Sequence, residues 1–245
     1  MHRRAIVTSL PLAGAVALLA LWRRDDALAL AGHGWRQLSG GRTVAERVAE
    51  HEAAVRARLQ PQLAGAGLSS VPQEIALLAF KDTRWLELYA RDSAVQPWLR
   101  VTRYALQGAS GGPGPKLREG DHQVPEGQYR VTLLNPNSRF HLSLRLSYPN
   151  DFDRRMAALD RRTALGDDVM IHGTAWSVGC LALGNRAVED LFVLTTWVGL
   201  GRVRVLISPT DFRIPFARSP VAAPPWAGGL YAVLKSELSN YPNAP

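Results

Sequence analysis

The chain reads as an α+β protein that is mostly β. Three observations lead there. From Glu74 onward, apolar residues recur at every second position through a series of short stretches. Only a few stretches carry the three-to-four spacing of a helix. The strands do not alternate with long helices, as a doubly wound parallel sheet requires.

The first helix runs from Thr43 to about Leu63. Thr43-Val44-Ala45-Glu46 is a capping box, in which hydroxyl and carboxylate each satisfy an amide at the helix start. Val44, Val48, Val55, Leu59 and Leu63 fall near one stripe, and Pro61 disturbs the last turn by lacking an amide donor. From Pro72 the period becomes two. Glu74 to Lys81 and Arg84 to Ala90 form a hairpin about Lys81-Asp82-Thr83, with Trp85, Glu87 and Tyr89 on one face and Leu86 and Leu88 on the other. Trp98 to Leu106 is a further strand. The loop from Gly108 to Gly127 contains Gly111-Gly112-Pro113-Gly114-Pro115-Lys116. It lacks the Gly-Lys-Ser/Thr of a phosphate loop and follows no strand-helix unit, which argues against a phosphate cradle.

Gln128 to Leu134 is a strand, and Phe140 to Tyr148 has the cleanest alternation. Phe140, Leu142, Leu144, Leu146 and Tyr148 point one way; His141, Ser143, Arg145 and Ser147 point the other, to a cleft or to water. Asp151 caps a short helix reaching Arg162. Val169 to His172 is a short strand. Asn185 caps a helix to about Val198, with Glu189 and Asp190 near its positive end and Gly199 and Gly201 stopping it. Arg202 to Ile207 is the last strand. Residues 213 to 229 are Pro-rich and cross the surface, and Leu230 to Leu238 forms a closing helix.

At 245 residues, 47% of them hydrophobic, the chain can bury a sizeable core. Its 29 basic and 21 acidic residues leave a net charge of +8, which suits an acidic neighbour such as anionic lipid or a cell-wall polymer. The arginines form no tract longer than a pair, and no nucleic-acid recognition motif is present, so nucleic acid is not an expected partner. His2, Arg3 and Arg4 precede an uncharged stretch, Ala5 to Trp22, of 18 residues, or about 27 Å of helix. That length lies between a long export signal and a short membrane span. Arg23-Arg24-Asp25-Asp26 follow, then Ala27-Leu28-Ala29, a small-residue cleavage context. Residues 1–31 are therefore a cleaved signal or an uncleaved inner-membrane anchor, residues 32–71 a helical segment, 72–213 a β-rich domain and 214–245 a Pro-rich extension with a short helix. The chain is expected outside the cytoplasmic membrane.

Cys180 is the single cysteine. It can form no internal disulfide and no multi-thiolate metal site. Taken alone it is either a small buried hydrophobe or a nucleophile. His172 stands eight positions earlier in Ile171-His172-Gly173, and Gly179 precedes the thiol in Ser177-Val178-Gly179-Cys180. A thiol beside an imidazole, with a glycine at its shoulder, is the minimum equipment for attack on a carbonyl. The same residues could instead be a satisfied core histidine and a turn. His33, His51 and His122 have no metal-ligand spacing, and no His-Glu-x-x-His pattern occurs, so no metal is expected.

These motifs, Ile171-His172-Gly173 and Ser177-Val178-Gly179-Cys180-Leu181-Ala182-Leu183, resemble the active-site signature of the YkuD-type L,D-transpeptidases. Gly114-Pro115-Lys116, Gly120-Asp121, Pro125-Glu126-Gly127-Gln128-Tyr129-Arg130, Tyr148-Pro149-Asn150 and Asp211-Phe212 occur in the order of the YafK-like branch, so the resemblance covers roughly residues 75 to 213. Val178 stands where the wider family has a second His, and Ala182 where it has an Arg; the YafK-like branch shares both departures. The resemblance implies a β-rich catalytic domain with a few packed helices. It implies Cys180 as nucleophile, His172 as base and then acid, amides of Gly179 and Cys180 as oxyanion hole, Gly173 holding the His loop and Ser177 in support. Tyr148 and Asn150 would line the substrate cleft or form a plain turn. The substrate class would be peptidoglycan stem peptides, with an envelope protein as a further acceptor, and no cofactor.

Three functions follow from this reading. The first is transfer of a thioester-bound peptide to an amine, which cross-links or remodels the wall. The second passes the same thioester to water and trims or releases links. The third is a tethered wall-binding module in which the thiol does nothing.

Overall fold

A computed structural model describes residues 41–220 and 223–243. The signal or anchor expected over 1–31 lies outside the described residues. From Thr43 onward the chain forms one compact unit.

Helix α1 spans Val44–Gly65. Both halves of its capping box form, with the Thr43 amide donating to Glu46 at 2.7 Å and the Glu46 amide donating to Thr43 Oγ1 at 3.2 Å. Val55, Leu59 and Leu63, one turn apart, are fully buried. Pro61 does not stop the helix, which continues to Gly65.

Nine strands make one mixed sheet: β1 Glu74–Phe80, β2 Trp85–Arg91, β3 Leu99–Ala105, β4 Gly108–Ala109, β5 Gly127–Asn135, β6 Ser143–Leu146, β7 Met170–His172, β8 Leu181–Ala182 and β9 Val203–Ser208. Their order is β3-β2-β1-β9-β5-β6-β7-β8-β4. The expected β1–β2 hairpin forms, from Glu74 opposite Arg91 to Phe80 opposite Trp85. β9, last in sequence, sits at the centre, parallel to β1 and antiparallel to β5. β1 is buried from Ile75 to Phe80, as its unbroken apolar run demands of a strand covered on both faces. β5 pairs with β9 through Gly127–Arg130 and with β6 further on, with a bulge between Val131 and Leu133 where it passes between the two halves.

Helices α2 (Asp151–Leu159), α3 (Asn185–Val198) and α4 (Ala227–Leu238), with a short 3-10 turn at Leu200–Arg202, complete the described elements. The main core lies between the sheet, α1 and α3. α4 closes the other side, where Leu238 and Tyr241 join Tyr89 and Trp98. The mostly-β α+β class is as expected, and four local readings are corrected. The stretch Phe140–Tyr148 is not one strand; only Ser143–Leu146 joins the ladder, because His141 adopts a left-handed φ of 74°. α2 is capped by Asn150, whose Oδ1 accepts from the Asp153 amide at 2.9 Å, and it ends at Leu159. α3 starts after Gly184 without a side-chain cap, since Asn185 Oδ1 accepts from the Thr174 amide at 2.9 Å instead. α4 begins at Ala227, three residues before the expected start.

Candidate active site

Alternation along β6, β7 and β8 sorts their side chains onto two faces. Leu144, Leu146, Ile171 and Leu181 point into the main core. The opposite face carries Ser143, opposite His172, and Arg145, opposite Met170. β7 and β8 run parallel, with Ile171 opposite Leu181 and His172 opposite Ala182. Cys180 precedes β8 by one residue, so continued alternation puts it on the face of Ala182 and His172. Sequence neighbours of opposite character, Cys180 and Leu181, are thereby divided between site and core.

His172 is buried. The Phe140 ring stacks on its imidazole with centroids 4.5 Å apart, and the exposed Trp176 leans on Phe140 at 6.3 Å. His172 Nδ1 lies 2.5 Å from the Gly173 carbonyl. A carbonyl only accepts, so Nδ1 carries the proton and Nε2 of the neutral ring is left with a free lone pair. Burial pushes the imidazole pKa down, only partly offset by that carbonyl. Gly173 is required: a Cβ there would stand 2.6 Å from the Phe140 carbonyl and 2.7 Å from Asn185 Oδ1. Ser143, fully buried across the ladder, has a hydroxyl without a hydrogen-bond partner.

Cys180 is half-buried, and its Sγ lies 3.9 Å from the Asp168 carbonyl. Thiol and imidazole make no direct hydrogen bond with each other in this resting arrangement. Burial pushes the thiol pKa up; the Met170 backbone and the Lys116 ammonium oppose that, and the Asp168 carboxylate adds to it. With the imidazole lowered and the thiol raised, the resting pair is a neutral thiol and a neutral ring, not a thiolate–imidazolium pair. A sulfur in that state is not itself a strong nucleophile and needs a base to take its proton.

The two amides expected to form an oxyanion hole are occupied. Gly179 N–H donates to Ser110 Oγ at 2.5 Å and Cys180 N–H donates to Ser177 Oγ at 3.1 Å, while Ser177 Oγ donates back to the Cys180 carbonyl at 2.6 Å. Ser177 thus closes the turn that presents the thiol. Gly179 holds it with a φ of 86°, a conformation that side-chain-bearing residues adopt at a cost.

Tyr148 and Asn150 have their polar atoms engaged in the protein. Tyr148 is 4% exposed and its hydroxyl donates to the Leu165 carbonyl at 3.0 Å. Asn150 caps α2 and its Nδ2 donates to the Gln128 carbonyl at 2.9 Å. Together they shape the segment that leads into β7. Sequence reasoning missed Ser110, Phe140, Lys116 and Asp168 as neighbours of the site. Phe140 had a signal in its place in the alternating run before His172, and Lys116 in the Gly114-Pro115-Lys116 motif; Ser110 and Asp168 had none.

Among the described residues one group could gather around a metal ion: His51, His141 and Glu189, with ligand atoms within 4.8 Å of one another. Glu189 is engaged by His141 Nε2 at 2.9 Å and by Arg58 at 3.3 Å, while His51 Nε2 is buried without a hydrogen-bond partner. No helix of the described residues is long and apolar enough to cross a membrane.

Comparison with known proteins places the sequence in a family. The model of the L,D-transpeptidase catalytic domain, YkuD, matches residues 77–207. YafK of Escherichia coli (strain K12) is 33% identical over 138 residues, covering 55% of this chain and 53% of that protein. The chain therefore spans about half the length of the curated relatives it matches. Among solved structures, Bd1075 of Bdellovibrio bacteriovorus is 24% identical with a TM-score of 0.42, covering 58% of this chain and 49% of that one. The helical cell shape determining protein Pgp2 of Campylobacter jejuni is 15% identical with a TM-score of 0.43, covering 76% and 78%. The family match runs from within β1 to within β9 and includes both His172 and Cys180; the chain belongs to the YkuD family of L,D-transpeptidase catalytic domains.

Proposed function

We propose that this chain is an acyltransferase that acts on peptidoglycan stem peptides through a thioester on Cys180. The observation that carries the reading is the β7–β8 register, which sets Cys180 and His172 on one face, together with the Nδ1 bond that leaves Nε2 free to accept a proton. His172 Nε2 takes the thiol proton as Sγ adds to the peptide carbonyl. The oxyanion displaces the serine hydroxyls from the Gly179 and Cys180 amides, which become its donors. The carbon–nitrogen bond then breaks, and the imidazolium gives its proton to the departing amine. An incoming amine attacks the thioester, loses a proton to His172 and releases the thiol, forming a new peptide link. Water in place of the amine gives hydrolysis by the same steps. Ser177 and Gly173 hold the two loops, and Tyr148 and Asn150 shape the approach to β7. The acceptor is a second stem peptide or an envelope protein, and the setting is the periplasmic side of the envelope, with the N-terminal segment at the inner membrane. The basic surface, with its net charge of +8, favours such an acidic polymer.

Incubating the full chain with purified muropeptides and resolving the products by mass tests this. Transfer joins two peptides with loss of the leaving amine, whereas hydrolysis adds one water. Unchanged products in wild type, or activity retained in Cys180→Ala, would overturn it.

A further inference from the structure

His51 on α1, His141 in the turn before β6 and Glu189 on α3 are far apart in sequence and meet in the fold, with one ligand atom of each within 4.8 Å of the others. The two oxygens of Glu189 are divided between partners. Oε2 accepts from Arg58 at 3.3 Å, and Oε1 faces both imidazoles, 2.9 Å from His141 Nε2 and 3.9 Å from His51 Nδ1. Each nearby arginine has a carboxylate of its own: Arg47 pairs with Glu50 at 2.7 Å, and Arg58 with Asp190 at 2.7 Å. The Glu189 charge is therefore the surplus one, and it meets two rings. Burial lowers the His51 pKa, which leaves that ring neutral with a lone pair to give. Its Nε2 is buried without a hydrogen-bond partner, a cost that the resting protein leaves unmet.

Two imidazoles and a carboxylate are a ligand set that suits zinc and its neighbours, at bond lengths of about 2.0–2.2 Å. Around a tetrahedral ion such atoms stand about 3.4 Å apart, so side-chain shifts of about 1–1.5 Å close the set. The side chains of His51, His141 and Glu189 are 12%, 21% and 16% exposed, which admits an ion and leaves a fourth position to water. The outer contacts also fit. Arg58 holds the oxygen of Glu189 that the ion does not use. Binding through His51 Nδ1 puts that ring's proton on Nε2, which lies 3.9 Å from Glu50 Oε1. Binding through His141 Nε2 puts the other proton on Nδ1, and Arg47, 3.5 Å from both that atom and the His141 carbonyl, keeps the carbonyl.

We propose that His51, His141 and Glu189 bind a divalent ion of the zinc type. The ion would tie α1 and α3 to the turn that carries Phe140, the ring stacked on His172. The inference does not depend on the acyl-enzyme reading.

The test is calorimetric titration of the EDTA-treated, dialysed full chain with Zn2+. One ion should bind per chain in wild type and equally in Cys180→Ala, which removes the thiol as a rival ligand. His51→Gln and Glu189→Gln should each weaken binding at least about tenfold. Zinc should also raise the urea midpoint of Cys180→Ala and leave that of His51→Gln where it is. Nitrogen-15 spectra of the wild-type imidazoles, which need no variant to fold, should show zinc shifting the rings of His51 and His141 and not that of His172. No binding by wild type, binding that is lost in Cys180→Ala or unchanged in His51→Gln and Glu189→Gln, or shifts confined to other rings, overturns the inference.

Discussion

Glu126 offers a sharp test of how the loop over the thiol is held. It is 1% exposed and accepts from the Gly114 amide at 2.6 Å and the Tyr231 hydroxyl at 2.9 Å. Its charge faces Lys81, whose Nζ is 3.1 Å away and also donates to the Gly114 and Val124 carbonyls at 2.7 Å each. The cluster ties β1, α4 and the segment bearing Lys116 together. Glu126→Gln removes the charge and leaves one acceptor oxygen for the Gly114 amide, while its NH2 group donates to the Tyr231 oxygen in place of accepting from it. A stranded buried ammonium costs about 3–5 kcal/mol. Neutralising a lysine of ordinary pKa at pH 7 would cost about 5 kcal/mol, and burial, which already lowers Lys81, brings that ceiling down. We therefore expect a loss of about 3–4 kcal/mol by urea unfolding of the full chain. Adding Lys81→Met removes the stranded charge. The Gly114 carbonyl keeps the Gln123 Nε2 donor at 2.6 Å, so the double variant should be more stable than Glu126→Gln alone. A loss under about 1 kcal/mol in the single variant, or a double variant worse than the single, would refute the reasoning.

Further outcomes follow from the same geometry. Cys180 alkylation by iodoacetamide should keep rising with pH from 7 through 9, because burial holds the thiol above its ordinary value and leaves it protonated at neutral pH; a plateau at neutral pH would show a resting ion pair instead. Gly173→Ala should lose about 1–3 kcal/mol and at least about tenfold in acylation, because its methyl would meet Phe140 and Asn185, whereas Gly112→Ala, with nothing within 4 Å, should match wild type in both. Burial pushes the Asp153 carboxyl up to about 6, so the folded state binds a proton that the unfolded state does not, and stability falls as pH rises from 4 to 6 by roughly 2 kcal/mol. Carbon-13 titration of that carboxyl, and loss of the pH slope in Asp153→Asn, check it.

Much of the site was legible because its parts are close in sequence. His172 and Cys180 are eight residues apart, and alternation alone predicts which neighbours face the core. What escaped depends on distant pairing. Ser110 reaches the Gly179 amide across 69 residues from within a Gly/Pro-rich loop that has no periodicity to read. The central place of β9 depends on β1 and β5 accepting it, which no local pattern records. His141 fits the alternating run, yet its ring bonds to Glu189 on α3, and the backbone turns left-handed there. The caps failed for a related reason. Asn150 and Asp151 are both good caps by type, and the reciprocal bond from Asp153 decides between them.

The most direct test of the account is the intact mass of the full chain after exposure to a stem-peptide donor. The account predicts a stoichiometric thioester adduct, mapped to Cys180, formed slowly or not at all in His172→Ala and absent in Cys180→Ala. A wild-type mass that stays unmodified while substrate is consumed, or an adduct on another residue, would contradict it.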